Sequence, residues 1–474
     1  MDNHFYITTT LPYVNAKPHL GFAWEILTAD FIARYQRLQG KKVIFNTGTD
    51  EHGQKIMQQA VQNNLSPQAY VDQLSRNFRD LTSLLSISNT NFIRTTDSQH
   101  LIAAEHFWNL CLKNVDIYRK KYQVKYCVGC ELEKTDSELV DGHCPLHPNQ
   151  ELEFRAEENY FFRFSRYQEK LLKFYQDNPN FVLGAGKMSE IISFVKSGLQ
   201  DFSISRLKEK MSWGIPVPHD SAQVMYVWFD ALINYISTLG WPNQETDYQQ
   251  FWPGIQICGK DNLRQQSAMW QAMLFSAQLP SSRQILVNGF ITVNGQKMSK
   301  SLGNVIDPSQ LLTKYGLNAT RFIIASFPVL SGDVDITDAR LHDFYTAHLT
   351  NGLGNLCSRL AKLASVIDTD WHLSKPTQIS STVAQFMNQF LTHQALQSII
   401  EQVSLLDQSL SRQKPWLIKD DLEKRAILTP ILQQLMQLIY DLQIFIPDFS
   451  DKLLNHFAQS RINPLQPLFP KIKS

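Results

Sequence analysis

Long apolar runs, cysteines and net charge are all scarce in this sequence of 474 residues. No apolar stretch approaches the roughly 18–20 residues that a membrane-spanning helix needs, so no membrane association is expected. The opening residues, Met1 to Thr10, lack the basic start and apolar stretch of a secretory leader, and the expected location is the cytoplasm. Six cysteines in so long a chain do not make a disulfide framework. With a formal net charge of +1, any contact with nucleic acid has to come from local basic patches. No internal repeat is visible.

What is present describes a protein with a large core. Hydrophobic residues make up 43% and charged residues 19%, the balance of a soluble globular chain whose length predicts two to four domains. Phe5 to Thr9 reads as a strand, Leu20 to Leu38 carries apolar residues at helical spacing, and Lys42 to Asn46 reads as the next strand. This rhythm predicts a doubly wound parallel sheet. Tyr122 to Phe154, with its close-set Cys, Gly and His, interrupts it as a small inserted module. The α/β pattern resumes at Val224 to Phe229, Ile255 to Cys258 and Gln284 to Val287. From Asp338 onward Leu349, Leu353, Leu356, Leu360 and Leu363, then Leu428, Leu432, Leu435, Ile439 and Leu442, recur at helical spacing. They predict a bundle broken at Pro376, Pro415 and Pro447. The Pro-rich tail after Phe457 is expected along the surface.

Three patterns carry chemistry. Pro18-His19-Leu20-Gly21-Phe22 follows the first strand and opens a helix, whose unpaired N–H groups suit phosphate. Gly21 permits close approach of a nucleotide to the backbone, and His19 can donate to a phosphate oxygen. Alone, this triplet fits an ordinary loop histidine better. Lys297-Met298-Ser299-Lys300-Ser301, bounded by glycines, can close over a triphosphate and neutralise charge on a leaving pyrophosphate. Alone, it fits a solvated basic loop better. Cys127-x2-Cys130-x13-Cys144-x2-His147 has zinc-knuckle spacing, and three thiolates with one imidazole complete a closed, structural Zn²⁺ site. Cys111, Cys258 and Cys357 read as reduced core residues.

The order of the first two patterns, separated by more than half the chain, resembles the paired signatures of class I aminoacyl-tRNA synthetases. Within them the chain is similar to methionyl-tRNA synthetases of the single-knuckle bacterial type. The residues that carry this are Thr10-Leu11-Pro12-Tyr13-Val14-Asn15, Gly48-Thr49-Asp50-Glu51-His52-Gly53, Asp201-Phe202-Ser203-Ile204-Ser205-Arg206, Trp213-Gly214-Ile215-Pro216-Val217-Pro218, Tyr226-Val227-Trp228-Phe229-Asp230-Ala231 and Gly259-Lys260-Asp261. The similarity runs from residue 6 to about 420.

The resemblance implies a Rossmann-like catalytic domain at 1–114 and 213–292, a connective insertion at 115–212 holding the knuckle at 127–147, a lysine-loop and stem-contact region at 293–340, and an all-α anticodon-binding domain at 341–474. It implies ATP with Mg²⁺ at His19, Gly21, Glu25, Gly259, Asp261, Lys297, Met298, Ser299, Lys300 and Ser301, with His19, Gly21, Phe22, Lys297 and Lys300 closest to the chemistry. L-Methionine is assigned to Leu11, Tyr13, Asp50, Trp228, Ala231, Leu232, Tyr235, Asn262 and Gln266. Asp50 suits an ammonium group and the aromatic wall suits a thioether. The anticodon of tRNA(Met), the initiator included, is assigned to Asn355, Arg359 and Trp416: amide and guanidinium can read splayed base edges, and an indole can stack on one. Four positions depart from the family pattern. Phe22 and Gln266 stand where many members have histidines, and Leu232 and Asn262 replace a proline and an aliphatic residue. The chain is expected to be a monomer. The rival readings are a class I enzyme for valine, isoleucine, leucine or cysteine, and a non-catalytic paralogue that binds tRNA or a nucleotide.

Overall fold

Strand His4–Thr9, helix Leu20–Leu38 and strand Lys42–Thr49 follow the predicted alternation, the last strand running beyond the expected Asn46. The computed structural model describes residues 3–15, 17–130, 132–134, 139–298, 304–368 and 370–472, with the backbone alone at 122–124, 132–133, 155–157 and 297. The helix starts at His19, whose extended backbone makes it the N-cap. It stops in a Schellman turn, where Gly40, at φ +81°, donates to Arg37 O at 2.8 Å and Lys41 donates to Gln36 O at 3.1 Å. Leu20, Ile26, Leu27, Phe31 and Ile32 are buried along it. Each such side chain contributes roughly 1.5–3 kcal/mol, so core packing rather than propensity fixes this helix.

Six parallel strands form the central sheet, in the order Asn91–Arg94, Lys42–Thr49, His4–Thr9, Ile255–Gly259, Gln284–Asn288, Val182–Leu183. The chain builds outward from His4–Thr9 on one side, then restarts beside it with Ile255–Gly259. That reversal is the switch point at which open α/β sheets bind ligands. Between the halves, Ile117–Cys127 pairs antiparallel with Glu153–Phe162, from Ile117↔Phe162 to Tyr126↔Glu153, forming a long hairpin with the cysteine module at its tip.

Two expectations need correction. Val224 to Phe229 is not one segment of the α/β sheet. Asp220–Met225 joins a small antiparallel sheet with Ser205–Leu207 and Pro216–Val217, and the short helix Val227–Ala231 comes directly after. Short apolar runs do not reveal their period, and this one is a buried strand followed by a buried helical turn. The tail also does more than lie on the surface. Phe469 is buried against Phe449, with ring centroids 5.0 Å apart, and the Tyr345 hydroxyl donates to Pro470 O at 2.7 Å.

Helices Asp338–Phe344, Asn355–Ser365, Ser381–Asn388, Thr392–Gln413, Asp421–Asp441 and Pro447–Phe457 build the bundle. The predicted leucines line it, Leu363 only partly buried. Pro447 sits in a first turn, where a missing N–H costs nothing, whereas Pro430 lies inside its helix among buried Leu428, Ile431 and Leu432. Arg321, fully buried, joins the two halves. It donates to Asp30 Oδ2 at 2.6 Å, Leu85 O at 2.7 Å and Phe445 O at 2.7 Å. Among the described residues, no helix is long and apolar enough to cross a membrane.

Candidate active site

Parallel strands deliver the loops at their carboxyl ends to one edge of the sheet. Thr10 to Tyr13 come after His4–Thr9, Asp50 to Gly53 after Lys42–Thr49, and Lys260 to Asn262 after Ile255–Gly259. Tyr13 and Asp50 form an isolated parallel bridge, with Asp50 N–H donating to Pro12 O at 3.0 Å and Val14 N–H to Asp50 O at 3.1 Å. Two residues assigned to the amino acid are thereby fixed beside each other. Leu11 is half-buried in the same loop.

Residues of the family motifs that had no assigned role hold this loop. Glu51 is fully buried and takes a bidentate pair from Arg94, at 2.7 and 2.8 Å, plus the hydroxyls of Thr49 and Thr96, both at 2.6 Å. Trp213 Nε1 donates to Glu51 O at 2.6 Å, and Gly53 N–H to Trp213 O at 3.2 Å. His52 Nδ1 lies 2.9 Å from Asp230 Oδ2, and His100 Nε2 lies 3.2 Å from Asp230 Oδ1. Burial pushes the Asp230 carboxyl up, but the two histidines outweigh it and hold the pKa below the ordinary value.

Helix Val227–Ala231 carries half-buried Trp228 and buried Ala231, with Leu232 and Tyr235 buried just beyond. The Trp228 indole N–H is buried without a partner among the described residues. Gln266 is buried on a π-helical segment, Gln265–Met269, a distortion frequent at functional sites. Its amide donates to Tyr235 Oη at 2.6 Å and accepts from Gln256 Nε2 at 3.1 Å. The departure from histidine thus leaves a bonded side chain against the tyrosine wall. Asn262 is half-exposed in the turn after Gly259.

At the nucleotide signatures, His19 is exposed, and its Nδ1 accepts from Gly21 N–H at 3.0 Å. With Nδ1 accepting, the ring proton sits on Nε2. Phe22 is buried and packs edge-to-face on Phe78 at 5.2 Å, so its side chain serves the core. Glu25 Oε1 accepts from Thr10 N–H at 2.8 Å and the Thr10 hydroxyl at 2.5 Å. Burial, with the nearby Asp261 charge adding to it, pushes the Glu25 carboxyl up to about 8, while the Thr10 bonds oppose the rise. Lys297 closes strand Gln296–Lys297, and Met298 packs against the core. Ser299, Lys300 and Ser301 lie outside the described residues.

In the cysteine module, Cys127 Sγ and His147 Nδ1 are 3.7 Å apart, Cys130 Sγ and Cys144 Sγ 3.7 Å, and all four ligand atoms lie within 4.8 Å of one another. A tetrahedral site with Zn–S legs of about 2.3 Å has edges of about 3.8 Å, so the donor set fits the ion. A Cβ on Gly129 would meet the His147 ring at 2.5 Å, which makes glycine necessary in this turn.

In the helical bundle, Asn355 is exposed as the first residue of Asn355–Ser365. Arg359 pairs with Asp407 and lies over the Trp416 ring, 5.8 Å from its centroid, and Trp416 is 46% exposed. Asp407 was not singled out in the sequence because its contact to Arg359 crosses between two helices.

The chain is similar to known proteins along nearly its whole length. The family profile for tRNA synthetases class I (M) matches residues 5–151 and 148–361. A methionine–tRNA ligase of Thermosynechococcus vestitus is 39% identical over 97% of this chain and 91% of its own length. One of Rickettsia typhi is 38% identical over 97% and 94%. In three dimensions the chain is similar to Mycobacterium tuberculosis methionyl-tRNA synthetase in complex with methionyl-adenylate, with a TM-score of 0.90 at 30% identity, covering 98% of this chain and 99% of that one. The apo form of that enzyme gives 0.83 at 28% identity, covering 99% and 98%. On profile, relatives and fold together, the chain belongs to the methionyl-tRNA synthetases, the class I methionine–tRNA ligases.

Proposed function

We propose that this chain activates L-methionine with Mg²⁺–ATP and transfers it to the terminal 2′-hydroxyl of tRNA(Met). The observation that carries the residue-level reading is the Tyr13–Asp50 bridge at the sheet's switch point, fastened through His52 to the helix of Trp228 and Ala231. Asp50 holds the ammonium group, while Leu11, Tyr13, Trp228, Ala231 and Tyr235 enclose the thioether, with Leu232, Asn262 and Gln266 around them. The methionine carboxylate attacks the α-phosphate, forming the adenylate and releasing pyrophosphate. His19, Lys297 and Lys300 stabilise the phosphates, with Gly21, Met298, Ser299 and Ser301 shaping their enclosure. Glu25, Gly259 and Asp261 hold the nucleoside. The tRNA hydroxyl then attacks the acyl carbon and AMP leaves. Positioning and charge stabilisation carry both steps, without a protein nucleophile.

Zn²⁺ on Cys127, Cys130, Cys144 and His147 supplies structure, since four protein ligands close its coordination. In this reading residues 1–114 and 213–292 catalyse, 115–212 carry the knuckle, 293–340 close on ATP, and 341–474 read the anticodon through Asn355, Arg359 and Trp416. The chain works as a cytoplasmic monomer, in keeping with the free, buried thiols of Cys111, Cys258 and Cys357. The test is charging of tRNA(Met) with labelled methionine by zinc-loaded protein. Accumulation of methionyl-tRNA is expected. Binding of tRNA without charging would point instead to a non-catalytic paralogue.

A further inference from the structure

We infer that Asp230 is a positioning residue for methionine, holding the loop that carries Asp50 against the helix that carries Trp228 and Ala231. The inference rests on the proposed methionine pocket, and none of Asp230, His52 or His100 is among the residues assigned there to a substrate.

Asp230 is fully buried, and a carboxylate in that position needs donors on both oxygens. It has them: Oδ2 lies 2.9 Å from His52 Nδ1, and Oδ1 lies 3.2 Å from His100 Nε2. An ionised carboxylate only accepts, so each imidazole presents an N–H to it. His100 Nδ1 lies 3.0 Å from the Ser237 hydroxyl, which fastens the ring's other nitrogen. The chain of contacts is thus helix Ser98–Lys113 through His100, helix Val227–Ala231 through Asp230, and the loop after Lys42–Thr49 through His52.

The placement gives this cluster its consequence. His52 stands two residues after Asp50, and Asp230 stands between Trp228 and Ala231. Glu51 is fastened to Arg94, Thr49 and Thr96, and Gly53 to Trp213, which ties both to other parts of the fold. His52 ties the loop directly to the helix of the side-chain wall. The distance between the group that meets the ammonium and the groups that meet the thioether therefore depends on the His52–Asp230 bond. A substrate held at two points is sensitive to that distance, and ATP, held elsewhere, is not.

The experiment is ATP–pyrophosphate exchange at varied methionine and at varied ATP, on the unaltered chain, His52→Ala, His52→Asn and Asp230→Asn. The asparagine amide nitrogen stands about where His52 Nδ1 stands and can still donate to Asp230. Loss of a charge-assisted hydrogen bond predicts a rise of roughly tenfold in the methionine KM for His52→Ala, with the ATP KM within about twofold. His52→Asn should return the methionine KM to within about threefold of the unaltered value, and Asp230→Asn should shift it in the direction of His52→Ala. If Asp230→Asn does not fold, the His52 pair decides. Equal effects of His52→Ala and His52→Asn, or joint rises in both KM values, would make the cluster a general support of the fold and overturn the inference. An unaltered chain that exchanges with methionine, beside a folded His52→Ala with unshifted KM, overturns the positioning role alone. An unaltered chain without methionine-dependent exchange overturns the pocket reading and this role with it.

Discussion

The knuckle tip and the sheet-edge pocket both keep polar side chains inside folded protein, by different chemistry. At the tip, Cys127 and Cys144 are buried while Val140, Leu146 and Phe154 around them stay exposed, so little apolar burial is available there. The four ligand atoms converge in a metal-sized tetrahedron. In the pocket, Glu51 and Asp230 are fully buried, and their oxygens are met by Arg94, threonine hydroxyls and histidines within a large apolar core. A small module can borrow its stability from an ion, whereas a substrate pocket needs rigidity that does not depend on one.

The largest expected effect would break that comparison if it failed. Removing zinc with a chelator takes away ~10–16 kcal/mol of binding energy from the tip. Amide hydrogen exchange across 127–150 should rise sharply, while strands His4–Thr9 and Ile255–Gly259 stay protected. Equal loss of protection in both regions would show that the pocket depends on the ion too.

Next in size, Arg94→Met strands the Glu51 carboxylate without its cation. The expected destabilisation is about 3–5 kcal/mol in urea unfolding, and an unchanged midpoint would remove Glu51 from the account of the loop. Lys300→Ala should cost about 10²–10³-fold in adenylate formation, or about 2.7–4 kcal/mol in the transition state, with stability unchanged. Near-normal pyrophosphate exchange in that variant would refute the lysine's assignment. Trp416→Ala removes a stacking platform worth ~1–3 kcal/mol per base, so charging should fall roughly 5- to 150-fold while exchange stays within about twofold. Parallel losses in both would make the tryptophan structural.

A pH-dependent effect concerns Glu25. Its carboxyl titrates at its ordinary 4.5 when unfolded and at about 8 when folded, so between these values the folded chain holds the extra proton. That contribution to stability is full below 4.5 and is lost as pH rises toward 8. Glu25→Gln should flatten this slope in urea midpoints compared at about pH 5 and about pH 8. An identical slope in both proteins would place the titration elsewhere.

Some of this was legible before any coordinates. The first strand–helix–strand and the knuckle are local or fit recognisable patterns, and the structure brings Tyr13 beside Asp50 and the four ligand atoms together. The supports were not legible. Arg94–Glu51 and His52–Asp230 join residues 43 and 178 positions apart, which one sequence cannot pair. Val224 to Phe229 misled because an apolar run of that length serves a strand or a buried helix equally well. Phe469 misled because proline-rich composition hides one aromatic that the bundle needs.

The measurement that tests the account most directly is ATP–pyrophosphate exchange by the unaltered, zinc-loaded chain with each of the twenty amino acids. Exchange supported by methionine and by none of the others is the predicted result. Exchange with another amino acid instead, or with none in folded protein, would contradict it.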